Sequence, residues 1–493
     1  MRRQLITVFV LFFVAFGAQA NEFKKAHELF KAGKYKDSLV FLDEVIAAHP
    51  DWFHGVYLKG RCQFHLKQYK QAITTFNDAL TMEVESNQIP GVKYYIARSY
   101  MSMKDYPKAI EMYDAVLVNA PASRKFEILL NKGQSEMEQA RKLEKSNKAK
   151  AKDYWSKSLK SFGEALKNPA RSNDRKVTVS FRKAYSNFKV AELENNTNKL
   201  ASTRNLIKDV FKLDPANKQA HDLMNSVDFR LIDRAKGDAK VARYKEAIPN
   251  LDNYLKHYPD NLQILDKKGK AYQGSKQFEK AIGVFNQLVA KRPDGDSYFS
   301  LGSCQMAAKQ FTKSIKSFDT AFAKGKKDDA SLYIFTAYSY AQQKKGCYNS
   351  DIPLYKKAVE NLEKGRKLVK GAGLAQLNKD LDAKKTNLET LQNNLQTDNT
   401  NHKATIDNIN ALKQTIAENM KTLAKNKDLL IQQPTDELRA AIKDGETRIT
   451  EDRSSLEAEY KTLSGLIREA GKCGGAGTFK HYNEMKAAVA QRS

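Results

Sequence analysis

One short phrase recurs along this chain at nearly constant spacing: a ring, two residues, a small residue, then an aliphatic one. It reads Tyr35-Lys36-Asp37-Ser38-Leu39, Tyr69-Lys70-Gln71-Ala72-Ile73 and Tyr106-Pro107-Lys108-Ala109-Ile110, and it returns as Tyr244-Lys245-Glu246-Ala247-Ile248, Phe278-Glu279-Lys280-Ala281-Ile282 and Phe311-Thr312-Lys313-Ser314-Ile315. The step from Ser38 to Ala72 equals that from Ala247 to Ala281, and the step from Ala281 to Ser314 is one position shorter. Prolines stand at the expected unit ends: Pro50, Pro121, Pro215, Pro259 and Pro293. A period of this length means units that cannot bury their apolar side alone and must stack on their neighbours. The small residue lets two helix axes approach, and the ring fills the gap toward the next unit.

A second set of marks lies in the helix before each phrase: Gly60, Ala97 with Tyr100, Gly269 with Tyr272, and Leu301-Gly302. Together the two sets resemble the tetratricopeptide repeat family, most strongly over 21–120 and 244–325. The resemblance implies an all-α fold, a solenoid of helical hairpins wound as a right-handed superhelix. The middle is less regular. Gly133 opens a first-helix pattern whose partner, Trp155-Ser158-Phe162-Ala165, arrives late, so 138–151 is read as lengthening the hairpin. Degenerate units over 184–215 and 333–368, the latter with an insertion at Gly346-Cys347, bring the count to about nine.

After Leu368 the period changes to seven. Leu374, Leu381, Leu388, Leu395, Ile409, Ile416, Leu423 and Leu430 recur on it, interrupted only by His402. This spacing predicts a coiled coil over 371–470. Pro434 breaks it, and Leu438, Ile442, Ile449, Leu456 and Leu463 form a second stripe. A hairpin of two antiparallel helices and a longer homodimeric rod both satisfy the pattern. The reading by domains is a leader over 1–20, repeat units over 21–121, irregular basic units over 122–240, repeats over 241–370, the coil, and a loop with a short helix over 471–493.

The leader follows from Arg2 and Arg3, an apolar run from Leu5 to Phe16, and Ala18-Gln19-Ala20 as a cleavage site. An apolar run that short suits a secretory signal better than the alternative, a retained amino-terminal membrane anchor. An exported, periplasmic or secreted protein cut after Ala20 is expected.

The chain carries 84 Lys and Arg against 57 Asp and Glu, a net +27. The coil does not supply this excess: 374–470 holds 14 basic and 16 acidic residues, whereas 141–183 holds 14 basic and 4 acidic. Lys148, Lys150, Lys152, Lys157, Lys160, Arg171, Arg175 and Lys176 make this stretch a candidate basic patch for an anionic envelope polymer or lipid headgroups, the alternative being a Lys-rich surface that serves solubility alone. Export and the lack of a nucleic-acid module disfavour nucleic acid.

The family resemblance also implies a binding groove built by the first helix of each hairpin. Carried over by position, it places Tyr57, Arg61 and Phe64 in one unit and Tyr94, Arg98 and Met101 in the next. Arg61 and Arg98 would form a ladder for carboxylates of an acidic peptide segment of a protein partner. The alternative is that the aromatics pack along the inner wall. Lys270, beside Asp266, takes the equivalent place in a later unit.

No metal-ligand cluster, phosphate loop or nucleophile motif is present, so neither an enzyme nor a cofactor is expected. Cys62 and Cys304 fall at buried helix positions. Cys347 and Cys473 sit in glycine-flanked loops and form a candidate disulfide only if the coil folds back. The unequal arms around Pro434 favour free thiols or intermolecular pairing. The functional expectation is a non-enzymatic scaffold binding a protein partner, with the coil as spacer or self-association arm.

Overall fold

The computed structural model describes residues 22–371 and 373–492. The leader expectation therefore lies outside the described residues. Among them there are helices and no strands, and the chain divides into two compact units, Met1–Pro259 and Asp260–Ser493.

The first unit contains six hairpins. They pair α1 (22–31) with α2 (Tyr35–Ala48), α3 (Phe53–His65) with α4 (Tyr69–Leu80), and α5 (Ile89–Ser102) with α6 (Tyr106–Leu117). Then come α7 (Ala122–Leu143) with α8 (Lys148–Ala165), α9 (Asn173–Leu193) with α10 (Thr197–Leu213), and α11 (Lys218–Arg234) with α12 (Gly237–His257). The second unit holds three more: α13 (Leu262–Gly274) with α14 (Phe278–Lys291), α15 (Gly295–Ala307) with α16 (Phe311–Ala323), and α17 (Ala330–Ala341) with α18 (Tyr348–Arg366). Nine hairpins among the described residues agree with the count from the sequence. The late arrival of Trp155 is what the sequence indicates, a lengthened α7–α8 hairpin.

The repeated phrase has one packing job. Its small residue, Ser38, Ala72, Ala109, Ala247, Ala281 or Ser314, is fully buried wherever it occurs. Seven residues after each phrase's ring stands a buried knob: Leu42, Phe76, Tyr113, Leu251, Phe285 and Phe318. Sixteen residues before the knob is its seat on the preceding helix, as in Gly60 for Phe76, Gly269 for Phe285 and Gly302 for Phe318. A Cβ on any of these glycines would stand 2.5–2.6 Å from the ring. In the lengthened hairpin the seat of Phe162 is Gly133, set further back along the chain by the insertion. Wherever the knob is Phe, the seat is Gly. Trp155-Ser158, Leu200-Thr203 and Tyr355-Ala358 repeat the spacing of large and small residue in the irregular units, with all three small residues fully buried.

The carboxy-terminal helices complete the second unit. α19 (Gly373–Gln432) spans 60 residues and α20 (Asp436–Lys472) spans 37. Pro434 separates them, and the Thr435 side chain accepts from the Leu438 N–H to start α20. The two run antiparallel: Asn408 reaches Glu459, Asn419 donates to Asp452 at 2.8 Å, and Lys427 pairs with Glu446 at 2.7 Å. Within one chain the heptad stripe is thus packed as an antiparallel hairpin. The arms are unequal because α19 serves two neighbours. Leu377 and Leu381 are buried against Ala358 and Leu362 of α18, while Ile406 and Ile409 are buried with Tyr460 and Leu463 of α20. A short helix, α21 (Tyr482–Ala490), closes the base through Met485 and Ala488. His402, the break in the heptads, is buried there with its ring centroid 5.2 Å from that of Phe479.

Cys347 and Cys473 are joined at this base, with α-carbons 5.0 Å apart. The expectation of free thiols fails because unequal arms do not prevent α20 from ending beside the start of α18. Only the second part of α19 has to match α20 in length. Cys62 and Cys304 are free and buried. Burial pushes both thiols up, Cys304 to about 12, which keeps them protonated and unreactive.

Candidate partner-binding groove

α3 and α5 are neighbouring first helices of successive hairpins in the first unit. Tyr57 and Arg61 stand one turn apart on α3, and Tyr94 and Arg98 one turn apart on α5, so each pair shares a face. Each arginine is stacked on a ring supplied by the previous repeat. The Arg61 guanidinium lies 4.4 Å from the centroid of Phe30 on α1, and that of Arg98 lies 4.6 Å from Phe64 on α3. Tyr57 and Tyr95 flank Arg61 at 5.6 Å, and Tyr94 and Tyr95 flank Arg98 at 5.8 and 5.7 Å. Each stack contributes ~0.5–2 kcal/mol and fixes a flexible side chain in place.

Among the described residues neither arginine has a carboxylate within ion-pair distance, and the Nε of Arg61 is buried without a hydrogen-bond partner. The charge is felt nearby. Burial and then Arg98 and Arg61 hold His65 below its ordinary value, and burial, Lys31 and Arg61 do the same to His27. Tyr57 is pushed up to about 12, chiefly by burial, with Arg61 and Arg124 acting the other way. This face is cationic and aromatic, and among the described residues no carboxylate is paired with either arginine.

The remaining residues named from the sequence are placed differently. Phe64 is buried and forms the floor under Arg98, so it is a wall residue and not a contact surface. The Tyr113 hydroxyl donates to the Met101 sulfur at 3.8 Å, which turns Met101 toward the interior. Lys270 lies on α13 in the second unit, and Asp266 neutralises it at 2.6 Å.

The eight basic residues do not form one patch. Lys148, Lys150 and Lys152 occupy the amino end of α8, next to the carboxy end of α7, where Trp155 Nε1 donates to Glu144 at 2.9 Å. Arg171, Arg175 and Lys176 lie at the other end of the hairpin, where Arg175 pairs with Glu127 of α7 at 2.6 Å. The length of α8, about 25 Å, separates the two groups. Lys157 is paired with Asp153 at 2.8 Å, and Lys160 is exposed.

Sequence reasoning does not single out Phe30 and Tyr95. A signal for Phe30 exists, since it precedes Phe64 by one repeat length. Among the described residues no cluster of His, Cys, Asp or Glu is arranged to hold a metal ion, and no helix is long and apolar enough to cross a membrane.

Comparison with known proteins agrees with the repeat architecture. The family model described as tetratricopeptide repeat matches residues 23–85 and 267–329, and a second model of that description matches 92–123. No curated protein sequence matches the chain. Among solved structures the chain is similar to the C-terminal part of a repeat-containing protein from Cytophaga hutchinsonii, at 15% identity and a TM-score of 0.39 over 57% of this chain and 99% of that one. It is also similar to YrrB, described as a tetratricopeptide repeat protein with an unusual peptide-binding site, at 18% identity and a TM-score of 0.31 over 43% of this chain and 100% of that one. A tetratricopeptide repeat protein from Parabacteroides merdae aligns at 11% identity and a TM-score of 0.28, over 66% and 99% of the two chains. Its family-model matches fall on the regular hairpins of both units, and over 23–85, 92–123 and 267–329 the chain carries tetratricopeptide repeats.

Proposed function

We propose that this protein is a non-enzymatic scaffold that holds an extended acidic segment of a protein partner against the aromatic–arginine face of α1, α3 and α5. The observation that carries the reading is the pair of ring-stacked guanidinium groups, Arg61 and Arg98, set in successive repeats without a carboxylate of their own. A guanidinium already fixed by stacking loses little further freedom on pairing with a carboxylate, and each such bond is charge-assisted. The antiparallel α19–α20 hairpin would act as a spacer or docking arm. Export to an oxidising compartment such as the periplasm fits both the leader pattern in the sequence and the Cys347–Cys473 bridge.

Fluorescence anisotropy with a labelled glutamate-rich dodecapeptide tests the reading. Binding should weaken about tenfold for Arg61→Ala and again for Arg98→Ala, as expected for losing one charged hydrogen-bonding group each. Equal affinity in the double variant would remove the groove from the proposal. A second reading, an anionic envelope polymer held by α8, draws on the exposed Lys148, Lys150 and Lys160, which have no ion-pair partner among the described residues. It predicts a much steeper fall of binding with salt.

A further inference from the structure

Beside the arginine ladder, between the amino-terminal halves of α3, α5 and α7, lies a cavity of about 380 Å³. Its lining includes the rings of Phe53, Tyr57 and Tyr94 and the side chain of Ile128. Arg124 and Arg171 also line it, both exposed and neither with a carboxylate partner among the described residues. Glu127 is the one acid of the lining, and its Oε2 is occupied by Arg175 at 2.6 Å. The Glu127 Oε1 is buried without a partner, and His54, Asn87 and Gln88 add polar groups, so the lining combines an aromatic and apolar wall with a polar rim on which positive charge is in excess.

Resting on the proposed function, we infer that this cavity receives an aromatic side chain of the same acidic segment, and that acidic residues beside that anchor pair with Arg124 and Arg171. The volume is at the lower end of the range for ligand sites, about 300–1,000 Å³, which suits one large side chain with its adjoining main chain. Three rings in the lining offer edge-to-face and offset contacts that an aliphatic anchor could not use. A basic neighbour is excluded by four guanidinium groups, those of Arg61, Arg98, Arg124 and Arg171.

Spacing sharpens the inference. Arg61 follows Tyr57, and Arg98 follows Tyr94, by four residues, about 6 Å along the helix axis. An extended chain advances about 3.4 Å per residue. A carboxylate two positions from the aromatic anchor therefore comes level with the ladder. The partner segment has the form aromatic–any–acidic, with a further acidic residue next to the anchor on its other side.

The test uses the full chain and synthetic peptides, so its main comparison needs no variant to fold. A glutamate-rich dodecapeptide with one central Phe should bind about 30-fold more tightly than the same peptide with Ala there, the usual size of a buried aromatic anchor. Arg124→Glu with Arg171→Glu, both exposed positions, should weaken the Phe peptide more than the Ala peptide. A photoreactive benzoyl-phenylalanine at the anchor position should crosslink to α3, α5 or α7. If Phe and Ala peptides bind equally while Arg61→Ala/Arg98→Ala weakens both, the anchor is wrong and the groove stands. If neither peptide binds, both readings fall.

Discussion

Glu136, on α7, is buried at 1% exposure, and its charge is poorly compensated. Ser161 of α8 donates to its Oε2 at 2.7 Å, and Lys132 stands 3.8 Å from Oε1 but is itself bound to Asp114. Burial pushes the carboxyl from its ordinary 4.5 up to about 7, against the pull of Ser161, Lys132 and Lys157. An acid whose folded value is raised contributes stability fully below its unfolded value. That stability is lost as pH rises through the folded value, here between about 4.5 and 7. At 1.36 kcal/mol per unit the difference is about 3 kcal/mol. Glu136→Gln keeps an acceptor for Ser161 and removes the charge. Relative to the parent, the variant should therefore gain about 3 kcal/mol between pH 4.5 and pH 8. Comparing the two pH values cancels any constant effect of the amide. Urea unfolding followed by Trp155 fluorescence, in a Trp52→Phe background, reports on this hairpin, because Trp155 is fully buried on α8. A stability difference that does not change with pH would refute the reasoning.

Two further outcomes follow from packing and covalent structure. In Gly269→Ala the new methyl meets Phe285 at 2.5 Å; overpacking costs ~1–3 kcal/mol against ~1 kcal/mol gained in helix propensity, so the urea midpoint should fall, and adding Phe285→Leu should restore it. Cys347→Ser opens a link between residues 126 apart. By chain entropy this lowers stability by up to about 5 kcal/mol, and hydrogen exchange should quicken at the base of α20 and in α21; unchanged exchange would show that the bridge is redundant with the packing around Phe479.

The regular hairpins are legible because their decisive contact is local. Gly60 and Phe76, or Gly302 and Phe318, lie sixteen residues apart, and the pair can be read along the chain. The unit with Ile207 as the knob is harder to see, since Leu200 stands where the regular phrases carry a ring and the knob is aliphatic as well. The heptads of α19 record that a face is buried but not against what: Leu381 meets α18 and Ile409 meets α20, although both fall on one stripe. That division is also why arm length misleads about the cysteine pairing. In the groove, Arg61 and Arg98 can be named from position alone. The rings that hold them are not legible as a set, because Phe30 and Phe64 each act on the arginine of the following repeat.

The double duty of α19 has a mechanical consequence. An arm joined to its body by a loop swivels freely and reports nothing about a load at its far end. Here the arm's leading helix is continuous with the segment packed against α18, and the bridge from Cys347 to Cys473 ties the returning helix of the arm to the turn just before α18. A pull or a twist applied near Pro434 has no slack joint in which to dissipate. It arrives at the last hairpin of the second unit as torque on α18.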